Sequence, residues 1–414
     1  MKKIFVSAIF LSLCLACAMY LYTSRLPYLT VVGFTDMSDG LGHQSVEIIN
    51  TLKDIVRVGY RATSPSLYQD VPLAVQKIMK KKYKRLGKVV LYEDIIHPFS
   101  HTFFQKRFDL SHPKQLRLAY SMFESSRIPP RWVHNLNLYF DAVIVPDKHL
   151  VAAYQNSGVT LPIFVLPLGL NLQPFLQLPL KETAHQPFVF ANFGTCIERK
   201  NHLGLIQAFY EAFGNDPHVT LWINCKYAKD QLFETLQNKV AELGSNNITL
   251  TNHCYTKAEY IDNFHKIDCY VSLSESEGFS IQPREAMALG IPCIVSDNTA
   301  QSTICQSLLV ETVASNFETP AYYEQFHDVF GVRYQVDTAA AKNALRTMYD
   351  DYSKYLSQGE QMRRWALQYD YPQLRALYLT LIKPKKVTLG SENLLQEGEL
   401  VTSSPALYKK YQSL

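Results

Sequence analysis

Between Asp268 and Ser296 the chain alternates in a way that leaves few folds open. The strand-like run Asp268-Cys269-Tyr270-Val271-Ser272-Leu273 passes into a polar loop, then into an Ala-Met-Ala-Leu-Gly helix, then into a second apolar run, Pro292-Cys293-Ile294-Val295-Ser296. Two strands joined through a helix run parallel, and a parallel sheet needs helices on both faces. The polar loop therefore lies beyond the carboxyl end of a strand, where open α/β sheets gather their ligands. Within loop and helix, the carboxylates Glu277 and Glu285 stand either side of seven residues.

The same alternation recurs elsewhere. Tyr28–Phe34 reads as a strand, followed through Asp36-Met37-Ser38-Asp39-Gly40-Leu41-Gly42 by a helix with Val46, Ile48, Ile49 and Leu52 in step. Ile55–Tyr60, Lys88–Tyr92, Asp141–Pro146 and Ile163–Pro167 read as further strands. Residues 176–187 lie in a Pro- and Leu-rich stretch without period and read as a linker. Alternation restarts at Phe188–Phe193 and continues through Val219–Asn224 and Ile248–Leu250, with helical patterns over Ala339–Tyr369 and Pro372–Ile382. With 414 residues, two cores are expected rather than one. The expected domains are 26–175 and 188–368, followed by a helix over 369–387 that crosses back to the first domain. A polar, loosely ordered tail is expected over 388–414.

Met1-Lys2-Lys3 precede Ile4–Tyr22, a segment without a charge that spans about 28 Å as a helix. Residues 1–25 are expected to form a single-pass membrane anchor. A cleaved signal peptide and a lipoprotein signal ending at Cys17 compete with it, Ala16-Cys17-Ala18 matching a cleavage site only in part. The net charge of +4 is small for this length, so nothing demands nucleic acid. Cys225, Cys269 and Cys293 sit in apolar runs and read as buried reduced thiols. His253-Cys254 alone does not make a zinc site, and no paired ligand spacing occurs, so no metal is expected.

The segment Ser274–Pro292 resembles the E-x7-E signature of family 4 glycosyltransferases, retaining enzymes of the GT-B fold. A second segment, Phe193–Phe209, contains Gly194-Thr195-Cys196-Ile197-Glu198-Arg199-Lys200-Asn201. It resembles that family's G-x-x-x-x-R-K-N/G-x-x-x-L-I-x-A-F element, whose lysine contacts a diphosphate. Pro167-Leu168-Gly169-Leu170-Asn171 resembles the family's P-x-G-v-D/N strand end, and Phe123–Val133 also resembles segments seen in its members. The implied fold class is α/β, GT-B: two Rossmann-like doubly wound domains facing a central cleft, here with an N-terminal transmembrane helix.

Moving a sugar from a nucleotide diphosphate sugar requires neutralising the departing diphosphate, holding the nucleotide and stabilising positive charge on the sugar. The resemblance assigns the first task to Lys200. Many members carry an arginine where this chain has Thr195, so Arg199 is the candidate second cation. It places Glu277 beside the transferred sugar, with Gly278, Phe279 and Ser280 as the adjoining loop, and gives Glu285 the ribose hydroxyls. Ser280 departs from a common glycine, Gln282 from a common proline and Arg284 from a usual apolar residue. Pro283 suits the first helical position, with Gln282 just outside it.

Gly40 and Gly42 serve either a plain turn or a close backbone approach to donor phosphates. His97 and His101 are candidates for polarising the acceptor, or are structural histidines. Glu124 is either an acceptor-side residue or a capping and packing residue. No Asp-x-Asp diphosphate–metal element stands out, Asp350-Asp351 lying in a helical pattern, so the protein itself is expected to supply the cation, with no cofactor.

The implied activity is metal-independent transfer of a hexose, with retention, to a glycan or lipid-linked acceptor. A GT-B epimerase and a silent membrane-tethered nucleotide- or glycan-binding homologue are the alternatives. Lys2 and Lys3 would hold the N-terminus in the cytoplasm and put the catalytic part outside or in a lumen. Free thiols and a cytosolic supply of sugar nucleotides in bacteria pull the other way, so the side of the membrane stays open.

Overall fold

The computed structural model describes residues 26–37, 40–96, 114–226, 228 and 230–414. The expected anchor over 1–25 and the candidates His97 and His101 lie outside the described residues. Among the described residues, no helix is long and apolar enough to cross a membrane.

Two six-stranded parallel sheets organise the chain. The first contains β1 (Leu29–Gly33), β2 (Val58–Ala62), β3 (Val89–Glu93), β4 (Leu116–Tyr120), β5 (Ala142–Val145) and β6 (Ile163–Val165), in spatial order β2-β1-β3-β4-β5-β6. The second contains β7 (Phe188–Thr195), β8 (Val219–Lys226), β9 (Ile248–Thr251), β10 (Cys269–Ser272), β11 (Cys293–Asp297) and β12 (Glu311–Ala314), in order β12-β11-β10-β7-β8-β9. Strands β1, β3 and β5 are wholly buried, as parallel strands covered on both faces must be. β4 was not legible beforehand. Its Leu-Arg-Leu-Ala-Tyr run is short and interrupted by Arg117, whose backbone N–H is taken by the Asp141 carboxylate at 2.7 Å.

The carboxyl ends of the two sheets meet. Arg199 after β7 reaches Glu124 after β4, at 3.1 Å. Lys148 after β5 donates to Gln306 at 2.6 Å. The helix Tyr371–Ile382 leaves the second domain and lies against the first. Tyr371 donates to Gln44 Oε1 at 3.1 Å, and Gln44 donates to the Tyr378 hydroxyl at 2.6 Å. A Cβ on Gly169 would stand 2.2 Å from the Tyr371 ring. Gly169, part of the family-like strand end, is therefore what lets this helix dock.

An antiparallel hairpin of β13 (Phe317–Tyr323) and β14 (Asp328–Gln335) reaches from the second domain to the first. Ser125 Oγ donates to Phe330 O at 2.6 Å, and Val332 N donates to Ser126 Oγ at 2.9 Å. Tyr323 packs 4.7 Å from Phe123, which meets Trp132 edge-on at 5.1 Å. Gly331 has φ 68°, and a Cβ there would stand 2.4 Å from Ser126 Oγ, so both conformation and approach require glycine.

The expected loose tail is instead structured. β15 (Lys386–Leu389), β16 (Leu394–Gln396) and β17 (Glu399–Thr402) form a small sheet, followed by a helix Pro405–Gln412. Leu400, Leu407 and Tyr411 are buried, Tyr411 donates to Leu381 O at 2.9 Å, and Lys410 meets the Asp141 carboxylate at 2.7 Å. Strands of three or four residues are too short to show a period, so few apolar side chains carry the docking. Tyr411→Ala is expected to cost about 3–5 kcal/mol, the usual cost of emptying a buried aromatic site. A thermal midpoint equal to wild type would mean that this segment does not contribute to the core.

Candidate active site

β7 ends at Thr195, and the chain then turns through Cys196 and a single 3-10 turn, Glu198–Lys200. Asn201 follows with φ 55°, and its side chain accepts from Gly204 N at 3.2 Å to cap the helix His202–Phe213. This reversal aims Arg199 and Lys200 at the loop after β10. Arg199 O accepts from Glu275 N at 2.8 Å and from Ser274 Oγ at 3.0 Å, while Arg199 donates to Ser276 O at 2.8 Å. Two motifs far apart in the chain are thus interlocked through backbone groups.

At their junction is the Glu277 carboxylate, 5% exposed. Lys200 donates to Oε1, and Arg199 stands 3.1 Å from Oε2. Burial pushes the Glu277 carboxyl up, but Lys200 and Arg199 outweigh it and hold it at about 2. Burial lowers the Lys200 ammonium despite its partner. Arg199 is raised: its burial works against the charge, and Glu277 and Glu124 overcome that. Arg333 on β14 reaches Glu275 at 3.1 Å, so the hairpin supports the same loop.

Beyond Glu277 the loop is shaped by Arg284. Its side chain is wholly buried, donates to Phe279 O and, at 2.9 Å, to Ser280 O, and stacks 4.0 Å from the Phe279 ring and 4.5 Å from the Tyr369 ring. Ser280 has φ 65°, the left-handed region where glycine is at ease. The helix therefore starts at Ile281 rather than at the expected Pro283. Proline is tolerated there because N–H groups of a first helical turn have no intrahelical partner. The Phe279 ring is buried against Tyr369, so the residue offers no side chain to a ligand.

Glu285 accepts a 2.7 Å hydrogen bond from Tyr260 and is raised by burial, against opposing pulls from that bond and from His43, Lys257 and Lys226. His43 belongs to the first domain and lies 3.2 Å from Glu47, to which Asn171 donates at 3.3 Å. Gly40 is at the domain boundary, its absent Cβ facing Ile281 at 3.3 Å, and Gly278 likewise faces Met122 Sδ at 3.2 Å. Gly42 serves its own turn: a Cβ would come 2.4 Å from Asp36 N.

The structure thus gathers Glu277, Arg199 and Lys200 at one point, with Gly278, Phe279 and Ser280 in the adjoining loop and Glu285 on the helix that follows. Gly40 reaches the same boundary, Thr195 stands at the root of the cation-bearing turn, and Gly42 stays within its own turn. Sequence reasoning missed the loop-forming role of Arg284, the Glu124–Arg199 contact and the Tyr260–Glu285 pair. The departure of Arg284 from an apolar residue was the visible signal.

Residues 180–308 match the family model described as glycosyl transferases group 1. Over that stretch the chain is similar to group 1 glycosyltransferases. No curated protein matches it. Among solved structures, a glycosyltransferase from Rickettsia africae is similar at 13% identity and TM-score 0.64, over 86% of this chain and 98% of that one. Anabaena HepE in complex with UDP-glucose is similar at 11% identity and TM-score 0.61, over 84% and 97%. A UDP-forming α,α-trehalose-phosphate synthase from Burkholderia xenovorans is similar at 10% and 0.60, over 86% and 99%. At such identities the likeness concerns the fold, which is GT-B-like.

Two outcomes test this geometry. Arg284→Met leaves the Phe279 and Ser280 carbonyls without their donor and is expected to cost about 2–4 kcal/mol in denaturant unfolding. For Glu277, the folded-state value of about 2 is below the ordinary 4.5. Its contribution to stability is therefore present above the ordinary value and is lost as pH falls toward 2. The stability gap between wild type and Glu277→Gln should narrow on acidification; a gap independent of pH would contradict the ion cluster.

Proposed function

We propose that this protein is a glycosyltransferase that moves a hexose from a nucleotide diphosphate sugar to a glycan or lipid-linked acceptor with retention of configuration. The observation that carries the reading is the buried Glu277 carboxylate held by Lys200 and Arg199, in the loop that leads into the helix bearing Glu285, within the stretch matched by the group 1 model.

A leaving diphosphate needs positive charge where its negative charge develops, and a preorganised donor in a water-poor site is worth far more than one in water. Lys200 and Arg199 are two such donors, already oriented by Glu277 and by the backbone of Ser274–Ser276. Lys200 keeps ammonium protons beyond the one given to Glu277, so it can bind an incoming phosphate oxygen without abandoning its partner. The start of the Ile281–Ala288 helix adds partial positive charge on the same side.

Glu285 is assigned to the ribose hydroxyls, since a carboxylate accepts two hydrogen bonds well. Glu277 is assigned to the transferred sugar, with backbone amides of Gly278–Ser280 beside it. Retention is read as front-face attack, the leaving diphosphate helping to deprotonate the acceptor. Charge neutralisation by these side chains makes the reaction metal-independent in this reading. The Anabaena and Burkholderia structures, named for UDP-glucose and for a UDP-forming reaction, make a uridine donor the first to try. The N-terminal segment is assigned to membrane attachment, beside a lipid-linked acceptor.

Donor turnover across UDP-, GDP- and ADP-sugars tests this. Lys200→Ala is expected to lower kcat about 100-fold or more, the scale for removing one charge-stabilising donor. Glu285→Gln should raise the donor KM before it lowers kcat. Wild-type rates in Lys200→Ala, Glu277→Gln and Glu285→Gln together would overturn the site. An epimerised sugar nucleotide formed without acceptor would replace transfer with epimerisation.

A further inference from the structure

Below the cation-bearing turn, three ligating side chains from separate places in the chain come together. Cys196 follows β7, Cys225 is on β8 beside Gly194, and His202 opens the helix after the turn. All three are buried, 4%, 0% and 3% exposed. Their Sγ and imidazole nitrogen atoms lie within 4.8 Å of one another, with Cys225 Sγ 4.0 Å from His202 Nδ1. The candidate active site uses none of them.

The hydrogen bonds around the imidazole determine which of its nitrogens can ligate. Asn192 gives its amide N–H to Val271 O at 2.7 Å, so its Oδ1 is the atom turned to His202 Nε2 at 3.0 Å. Nε2 must then carry the proton and donate, which leaves the Nδ1 lone pair directed at the sulfurs. A second partner that orients a ligating histidine through its other ring nitrogen is a regular part of metal sites. Gly194 keeps the space open: a Cβ there would stand 3.1 Å from Asn192 Oδ1 and 3.5 Å from His202 Nε2.

We propose that Cys196, Cys225 and His202 Nδ1 form a structural binding site for a thiophilic closed-shell cation, Zn(II) or Cu(I). Two sulfurs and one imidazole, with no carboxylate, is the donor set that such ions prefer. Three atoms no more than 4.8 Å apart enclose a point within roughly 2.8 Å of each, so shifts of about 0.5–0.8 Å bring them to ordinary metal–sulfur and metal–nitrogen distances. Binding releases the two thiol protons to solvent and breaks no covalent bond between heavy atoms. Cys196 and His202 bracket residues 197–201, so the ion pins both ends of the turn that carries Arg199 and Lys200. This inference does not depend on the transferase reading.

The test is metal uptake by the full chain, stripped with a chelator and kept reduced. Zn(II) is titrated against a chromophoric chelator and Cu(I) against bicinchoninate. One equivalent of at least one ion is expected, with X-ray absorption of the loaded wild type showing two sulfurs at about 2.3 Å and one nitrogen at about 2.0 Å. Cys225→Ala should weaken binding at least about tenfold, and Asn192→Ala by about 10–100-fold through loss of the oriented imidazole. Cys254→Ala, at an exposed cysteine, should leave uptake unchanged. Absence of stoichiometric uptake of both ions overturns the proposal. So does equal uptake in a folded Cys225→Ala variant. A Cys196–Cys225 disulfide in the purified protein, with no uptake after reduction, also overturns it. The wild-type absorption spectrum decides the matter if the variants do not fold.

Discussion

Most of the second domain's loop structure follows from keeping one carboxylate charged in a buried place. Glu277 at the end of β10 stays ionised only because Lys200 and Arg199 are brought against it from the end of β7. Taking charges out of water costs several kcal/mol per ion, and only close, hydrogen-bonded partners return that cost. The surrounding backbone contacts satisfy what remains: Arg199 closes onto Ser276 O, and Ser274 and Glu275 close onto Arg199 O. The constraint extends across the cleft, because the other arm of Arg199 is held by Glu124 of the first domain. A ligand entering here meets charges that are already oriented.

Arg284 applies the same logic to a different end. A guanidinium in a core is costly unless its donors are occupied and its faces are covered. Here Nη1 donates to the carbonyls of Phe279 and Ser280 and aromatic rings lie against the faces, while Nη2 faces the Asp147 carboxylate at 3.9 Å and Nε has no hydrogen-bond partner among the described residues. An apolar residue at this position would fill the space but leave the loop's carbonyls to find other partners. The left-handed Ser280 and the early helix start belong to this same local solution.

Much of this was legible beforehand for physical reasons. Buried parallel strands make mostly apolar runs, which is why β1, β3, β5, β7, β10 and β11 were visible in the sequence. Glu277 and Glu285 were visible through the E-x7-E spacing, and Arg199 and Lys200 through the segment that resembles the family's G-x-x-x-x-R-K-N/G element. What escaped notice was either short or non-local. β4 carries Arg117, β15 to β17 are too brief to show a period, and the 317–335 hairpin fully buries only Ala321 and Phe330. Cys196, His202 and Cys225 have no ligand-like spacing along the chain. Only the pairing of β7 with β8 makes them neighbours.

The hairpin changes what kind of machine the two domains can be. The chain passes between them covalently at two places, before β7 and after Tyr369, and such a pair of strands can flex as a hinge. β13 and β14 add a third tether through Ser125, Ser126 and the Phe123 cluster. Wide opening of the cleft then means bending or releasing that tether. Because Arg333 on the same hairpin holds Glu275, releasing it also loosens the loop that carries Glu277. One hairpin thus touches both the first domain and the loop that bears the central carboxylate.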